Sequence, residues 1–234
     1  MDTAVIIAGG EGTRLRPLTD GIPKTLVEVA GKPMLQWTIE WLKAGGIKHL
    51  VIGVAYKKEK IYEFMKAHNN FGMDVHFSEH SLEGGTAEGF RLAIERHVKD
   101  RDFIAMNSDE LTNMDLRKLI EKHKKHSPTV TMAISPFYVG VSIIDRDKED
   151  KITSFEYGRL VHSLPVSIGI YAFNSGIIDY IPKSGSIENT AFKQLVKEGK
   201  ARAMMLSDGE EWVTVNTPHD ITKAEQKLKE WGGI

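Results

Sequence analysis

Ala4-Val5-Ile6-Ile7-Ala8, running straight into Gly9-Gly10-Glu11-Gly12-Thr13-Arg14-Leu15-Arg16-Pro17-Leu18-Thr19, is the stretch from which the fold is read. Five small or apolar residues without polar alternation, ended by two glycines, predict a strand buried on both faces, as in a parallel sheet. Working outward, residues 34–44 place Leu35, Ile39 and Leu42 at helical spacing, and Gly45-Gly46 closes that helix. Residues 49–55 (HLVIGVA) repeat the buried-strand pattern. The alternation continues with a helix over 58–67, whose Ile61, Phe64 and Met65 face inward, a strand over 74–78, a helix over 86–97 and a strand over 102–106. Such alternation defines βαβ units, so the expected fold class is α/β, a doubly wound and mostly parallel sheet of Rossmann-like form. Its crossovers are right-handed, and ligands sit beyond the carboxyl ends of the strands.

The second half is less regular. A short edge segment is expected at Leu26, Val27 and Val29, then a helix over 115–126 stopped before Pro128, and strands over 129–135 and 139–145. Residues 145–151 (DRDKEDK) read as a solvated charged turn, followed by a strand over 167–173 and a helix over 189–197. Short strands over 202–206 and 212–215 precede a terminal helix over 217–231, with Pro218 in its first turn. With no internal repeat, low-complexity tract or linker, one domain over 1–234 is the simplest organisation.

The 234 residues suffice for a sizeable core, and 41% hydrophobic with 27% charged residues is ordinary for a soluble globular chain. The formal net charge of -1 supplies no global field for nucleic acid or an anionic membrane, so any anionic ligand needs a local cluster. The absence of cysteine excludes disulfides, thiolate metal sites and a cysteine nucleophile. There is no basic leader, and no apolar run long enough to span a bilayer, so the expectation is a soluble cytoplasmic protein.

The chemistry concentrates in the glycine-rich loop. Gly9, Gly10 and Gly12 let the backbone turn sharply and bring amides close to an anion. Arg14, Arg16 and, just beyond, Lys24 add cations suited to phosphate oxygens. This is not a Walker A motif, because no Gly-Lys-Ser/Thr closes it. Nor is it a dinucleotide fingerprint, because Leu15 stands where the third glycine belongs, which removes an oxidoreductase reading.

The string Gly9 to Thr19, then Pro23-Lys24, resembles the signature of the sugar-phosphate nucleotidyltransferases (GGxGTRLxPLT, then PK), and Val29-Ala30-Gly31-Lys32-Pro33-Met34 fits the segment that follows it. The resemblance extends more loosely over nearly the whole chain. It implies a nucleotidyltransferase (GT-A-like) fold and Mg²⁺-dependent transfer of a nucleotidyl group from a nucleoside triphosphate to a hexose 1-phosphate, glucose or mannose 1-phosphate first, with release of pyrophosphate. It implies that Gly9, Gly10, Gly12, Thr13 and Arg14 hold the triphosphate, and that Lys24 neutralises charge at the α-phosphate. Glu83-Gly84-Gly85-Thr86-Ala87 resembles the base-contacting LGTA segment through Gly85 and Thr86, and Thr86 is also expected to cap the following helix. Asn107-Ser108-Asp109 matches NGD and makes Asp109 a metal ligand. In Trp212 to Asp220, which resembles the second metal segment, Thr214 stands where many members carry aspartate, so the ligand role passes to Asn216; Asp220 is expected mainly to favour the helix dipole.

On the acceptor side the resemblance points to Gly169, Glu188 and Glu156, although Tyr157 replaces the lysine that follows that glutamate in the family and Arg159 is the nearest cation. Ser108, Tyr157 and Thr214 are the departures that support a second reading, a non-catalytic nucleotide-sugar-binding regulatory subunit on the same fold. The implied partners are therefore a nucleoside triphosphate and a sugar 1-phosphate, with no nucleic acid and no membrane, while a homo-oligomer remains compatible. No histidines fall at HExxH spacing; His123 and His126, on a polar helix, are expected in solvent, and Trp37 and Trp41 in the core.

Overall fold

The computed structural model describes residues 1–232. In chain order the first half runs β1 (Thr3–Ile7), β2 (Glu28–Val29), β3 (Lys32–Pro33), α1 (Met34–Ala44), β4 (His49–Val54), α2 (Lys58–Ala67), β5 (Asp74–Glu79), α3 (Gly85–His97) and β6 (Asp102–Asn107). The second runs β7 (Glu110–Thr112), α4 (Leu116–His126), β8 (Val130–Arg146), β9 (Ile152–Asn174), α5 (Ala191–Lys197), β10 (Ala201–Met205), β11 (Trp212–Thr214) and α6 (Pro218–Glu230). One seven-stranded sheet has the order β10-β8-β9-β6-β1-β4-β5. The pairs β1–β4, β1–β6, β4–β5 and β8–β10 are parallel, whereas β9 runs antiparallel to both β6 and β8.

The alternation along β1 explains its uniform apolarity. Ala4 and Ile6 pack with Leu35, Ile39, Leu42, Ile61, Met65 and Leu116 on one side of the sheet. Val5 packs with Phe90, Ala93 and Ile94 on the other. A strand covered on both faces has no polar side to show. Because β6 lies beside β1 and opposite β4, the winding reverses between β1 and β6, and a crevice opens beyond their carboxyl ends. Both the glycine-rich loop and Asp109 follow those ends.

A third apolar cluster lies below the loop: Leu15, Val27, Val29, Met34, Trp37, Leu111, Val215, Ala224 and Leu228. It joins the loop to β7, β11 and α6. The indole of Trp37 donates to the Val29 carbonyl and that of Trp41 to the Met114 carbonyl, both at 2.8 Å, so both tryptophans belong to the core as expected.

Three readings need correction. His123 is buried, with Nδ1 2.9 Å from Thr131 Oγ1 and Nε2 3.5 Å from Asp102 Oδ1. Polar composition masked the fact that Leu116, Leu119 and His123 share one buried stripe of α4. The expected strands over 139–145 and 167–173 are parts of two long strands that continue as a ribbon beyond the sheet, and residues 152–166 were not expected to be extended. The ribbon is exposed on both faces, so it carries no inside–outside alternation to read. β7, three residues long, also escaped, and α5 begins at Ala191 rather than two residues earlier.

Candidate active site

The loop is built from one sharp turn. Gly12 has φ 65°, and a β-carbon there would lie 2.9 Å from Lys24 Cβ and 3.0 Å from Thr19 Cγ2. Glycine is needed for both conformation and space. Thr19 Oγ1 donates to the Gly12 carbonyl at 2.9 Å, and Leu15 plugs the turn into the third cluster with no exposed surface. Gly9 rests on the His80 ring, while no atom comes within 4 Å of where a Gly10 side chain would begin.

Beside the loop, opposite charges converge. Lys24 Nζ donates to Asp109 Oδ2 at 2.6 Å and to Asn216 Oδ1 at 2.7 Å; Arg14 Nη2 donates to the same Asn216 oxygen at 2.7 Å. The lysine side chain is only 12% exposed, so its two bonds form partly shielded from water, whereas the Arg14 bond lies at the surface. The β7–β11 ribbon sets the meeting point. It pairs Glu110 with Thr214, and Val215 N–H donates to the Asp109 carbonyl at 3.0 Å. Asn216 Nδ2 donates to Thr214 Oγ1 at 2.8 Å, which turns the amide oxygen toward the cations. Asp220 does more than favour a dipole: it completes a capping box with Thr217, and its Oδ2 accepts from Asn216 N–H at 3.0 Å. Ser108, buried, donates its N–H to the Ile7 carbonyl at 3.2 Å and needs no left-handed backbone, so the serine fits.

Two cavities flank this cluster. One, of about 610 Å³, is lined by Gly9, Gly10, Gly12, Thr13, Gly85 and Thr86 among others. Gly85 has φ 63°, and a β-carbon on it would lie 2.6 Å from the Gly185 carbonyl oxygen. Thr86 does not cap α3; its hydroxyl reaches across to accept from Ile187 N–H at 3.1 Å and donates to Glu188 Oε2 at 3.3 Å. Thr86 thereby ties the first cavity to the second, which is about 660 Å³ and is bounded by Asn107, Glu110, Ser167, Gly169, Tyr171 and Glu188.

The structure thus brings together the expected loop residues, Gly85, Thr86, Lys24, Asp109, Asn216, Gly169 and Glu188. It does not bring Glu156 there. That residue lies on the exposed ribbon, opposite Ile143 and paired with Arg159 at 3.5 Å. Glu110 was missed. Its Cγ and Oε1 would lie 2.9 and 3.0 Å from a β-carbon on Gly169, its Oε2 is buried without a partner, and burial followed by the Asp109 charge holds its carboxyl well above the usual carboxylate range. The only signal in sequence was a second acidic residue directly after Asp109. Among the described residues no group of three or more His, Cys, Asp or Glu side chains could by itself hold a metal ion. No helix among them is long and apolar enough to cross a membrane.

Fold and site together are those of an enzyme family that works on nucleotides: the nucleotidyl transferase family model matches residues 3–230, and the chain belongs to that family. Its relatives are sugar-phosphate nucleotidyltransferases. The chain is 34% identical over 232 residues to the mannose-1-phosphate guanyltransferase of Gibberella zeae, covering 93% of this chain and 61% of that protein. It is 35% identical over 227 residues to the Yarrowia lipolytica protein of the same name, again covering 93% and 61%. It therefore spans about three fifths of the length of these fungal relatives. Among solved structures, HddC from Yersinia pseudotuberculosis superposes with a TM-score of 0.74 at 25% identity, over 97% of this chain and 100% of that one. The same protein complexed with GMP-PN gives 0.69 at 26%, with the same coverage. The inositol-1-phosphate CTP transferase of T. maritima, at 18% identity and a TM-score of 0.75 over 100% of this chain and 98% of that one, shares the fold.

Proposed function

We propose that this chain is a sugar-1-phosphate nucleotidyltransferase acting as one domain. The observation that carries the reading is the Arg14–Lys24–Asp109–Asn216 cluster between two cavities. The cavity under the glycine loop is lined by Gly9, Gly10, Gly12 and Thr13, whose backbone amides suit a triphosphate, and Arg14 follows Thr13 in the chain. The cavity bounded by Gly169 and Glu188 offers hydrogen-bonding groups to a sugar. An acceptor phosphate oxygen forms a new bond to the α-phosphorus, the α–β bridging bond breaks, and pyrophosphate leaves with the electron pair. Lys24 lies where charge accumulates during that displacement, and the chain needs no covalent intermediate.

The site also suits Mg²⁺. Asp109 Oδ2 and Asn216 Oδ1 already converge on one positive point, the Lys24 ammonium, and they are hard oxygen donors. With only these two from the chain, the other positions fall to water and phosphate, which is the usual way this ion is held. Bound there, Mg²⁺ would neutralise phosphate charge.

The names of the relatives direct the first assay to GTP and mannose 1-phosphate, with other nucleoside triphosphates and hexose 1-phosphates beside them. Pyrophosphate release that needs both substrates, and falls about a hundredfold or more in Lys24→Ala and Asp109→Ala, is the expected result. Silence across the panel while nucleotide still binds would overturn the enzyme reading in favour of a regulatory subunit.

A further inference from the structure

Thr86 stands in the first turn of α3 and borders the cavity read as the nucleotide site, yet both bonds of its hydroxyl lead to the segment that walls the other cavity. It accepts from Ile187 N–H at 3.1 Å and donates to Glu188 Oε2 at 3.3 Å. The contact is held on several sides. Ile187 is fully buried in the apolar cluster that contains Ala87 and Phe90 of α3. Ala87 N–H donates to the Gly185 carbonyl, and Gly185 N–H to the Gly84 carbonyl, both at 2.9 Å. The chain ahead of α5 is thereby stitched to the start of α3, and Glu188 is set within reach of Thr86.

A threonine hydroxyl has one proton to give. Here it goes to Glu188 Oε2, so none remains for a base. Ser186 Oγ donates to the same oxygen at 2.6 Å and accepts from Asn189 N–H at 3.1 Å. Two hydroxyls from separate segments therefore hold one oxygen of an exposed carboxylate, while among the described residues Oε1 has no hydrogen-bond partner. A glutamate left alone at a surface samples several rotamers, and ordering it on binding weakens affinity. We propose that Thr86 is a positioning residue of the acceptor site rather than a nucleotide contact: with Ser186 it fixes the Glu188 carboxylate so that Oε1 meets a hydroxyl of the sugar 1-phosphate. The proposal rests on the nucleotidyltransferase reading for its two ligands, and adds that one wall of the nucleotide cavity serves the acceptor.

Initial rates of pyrophosphate release test it, with GTP and mannose 1-phosphate, or the fastest pair of the panel, varied separately. Thr86→Val keeps the shape and removes the hydroxyl. It is expected to raise KM for the sugar phosphate about tenfold, as loss of one hydrogen bond to a charged group does, and to leave KM for the triphosphate within about twofold. Thr86→Ser should restore the wild-type value, and Ser186→Ala should reproduce the one-sided change. In a Glu188→Ala background, Thr86→Val should alter KM for the sugar phosphate no further, because the two residues act through one contact. A merely structural role would move both KM values and would persist without Glu188. The proposal is overturned if Thr86→Val matches the wild type, if it raises KM for the triphosphate as much as KM for the sugar phosphate, or if its effect multiplies with that of Glu188→Ala. If Thr86→Val does not yield soluble protein, Thr86→Ala decides by the same criteria. A wild type that turns over no pair removes the nucleotidyltransferase reading and this proposal with it; one that turns over without the one-sided change in the variants removes the proposal alone.

Discussion

Gly85→Ala and Gly10→Ala, two identical changes in one cavity wall, should separate folding from binding. At Gly85 the backbone is left-handed, which costs an alanine roughly 1–2 kcal/mol. Its methyl would also meet the Gly185 carbonyl oxygen at 2.6 Å. That oxygen cannot step aside freely: it accepts from Ala87 N–H, and Gly185 N–H donates to the Gly84 carbonyl, both at 2.9 Å. Loosening these two bonds costs about 0.5–1.5 kcal/mol each. Together the terms reach roughly 2–5 kcal/mol, which for a chain of this size lowers Tm by about 4–20 °C. Gly10 has no atom within 4 Å and no left-handed φ, so Gly10→Ala should melt with the wild type. Its methyl nonetheless enters the nucleotide cavity, and KM for the triphosphate should rise about tenfold or more. Differential scanning calorimetry and initial-rate kinetics read both effects. The reasoning fails if Gly85→Ala melts with the wild type, or if Gly10→Ala loses as much stability as Gly85→Ala.

Other consequences follow from the packing. Leu15→Ala should cost about 2–5 kcal/mol in urea unfolding and raise KM for the triphosphate, because the same side chain anchors core and loop. Asp220→Ala should cost about 1 kcal/mol through the lost capping box, and lower kcat more than KM because Asn216 loses its backbone tether. His123 is held below the ordinary histidine range chiefly by burial, with Asp102 opposing. The unfolded chain therefore takes up a proton first, and stability should fall as pH drops below about 6.5. His123→Gln should flatten that slope in urea titrations run across the range.

The parallel core was legible because its strands are apolar throughout, and a strand buried on both faces has no other way to be written. The phosphate loop was legible for a different reason: Gly12 must turn left-handed against Lys24 and Thr19, and few residues satisfy that. Meeting points between distant segments were not visible in this way. That Asp109 lies beside Asn216 follows from the β7–β11 pairing; β11 was expected, but its partner β7, three residues long, is too brief to announce itself. The sequence led to Asn216 through family resemblance, not through spacing. Resemblance also pointed to Glu156, and there it failed. A motif residue reaches a site only if its strand passes there, and this ribbon leads outward. His123 failed because composition was read where face should have been: four lysines and two histidines make α4 look solvated, yet its position decides which side meets the sheet.

The replacement of the usual aspartate by Thr214 finds its reason in the charges nearby. Thr214 pairs with Glu110, whose carboxyl is already buried next to the Asp109 carboxylate. A third acid at this point would face both, with the half-buried Lys24 ammonium beside them. Threonine avoids that repulsion and supplies a hydroxyl that accepts from Asn216 Nδ2. The amide oxygen is thereby aimed at Arg14 and Lys24. Loss of the aspartate and use of the asparagine are thus one adjustment, made across two residues of a strand end. Its geometry depends on apolar packing directly below: Leu111 and Val215 flank the two acidic and amide positions, and both sit in the cluster that also holds Leu15. One small core therefore sets the loop, the cation pair and the oxygen donors relative to one another, and the polar cluster stays fixed because its apolar foundation is shared.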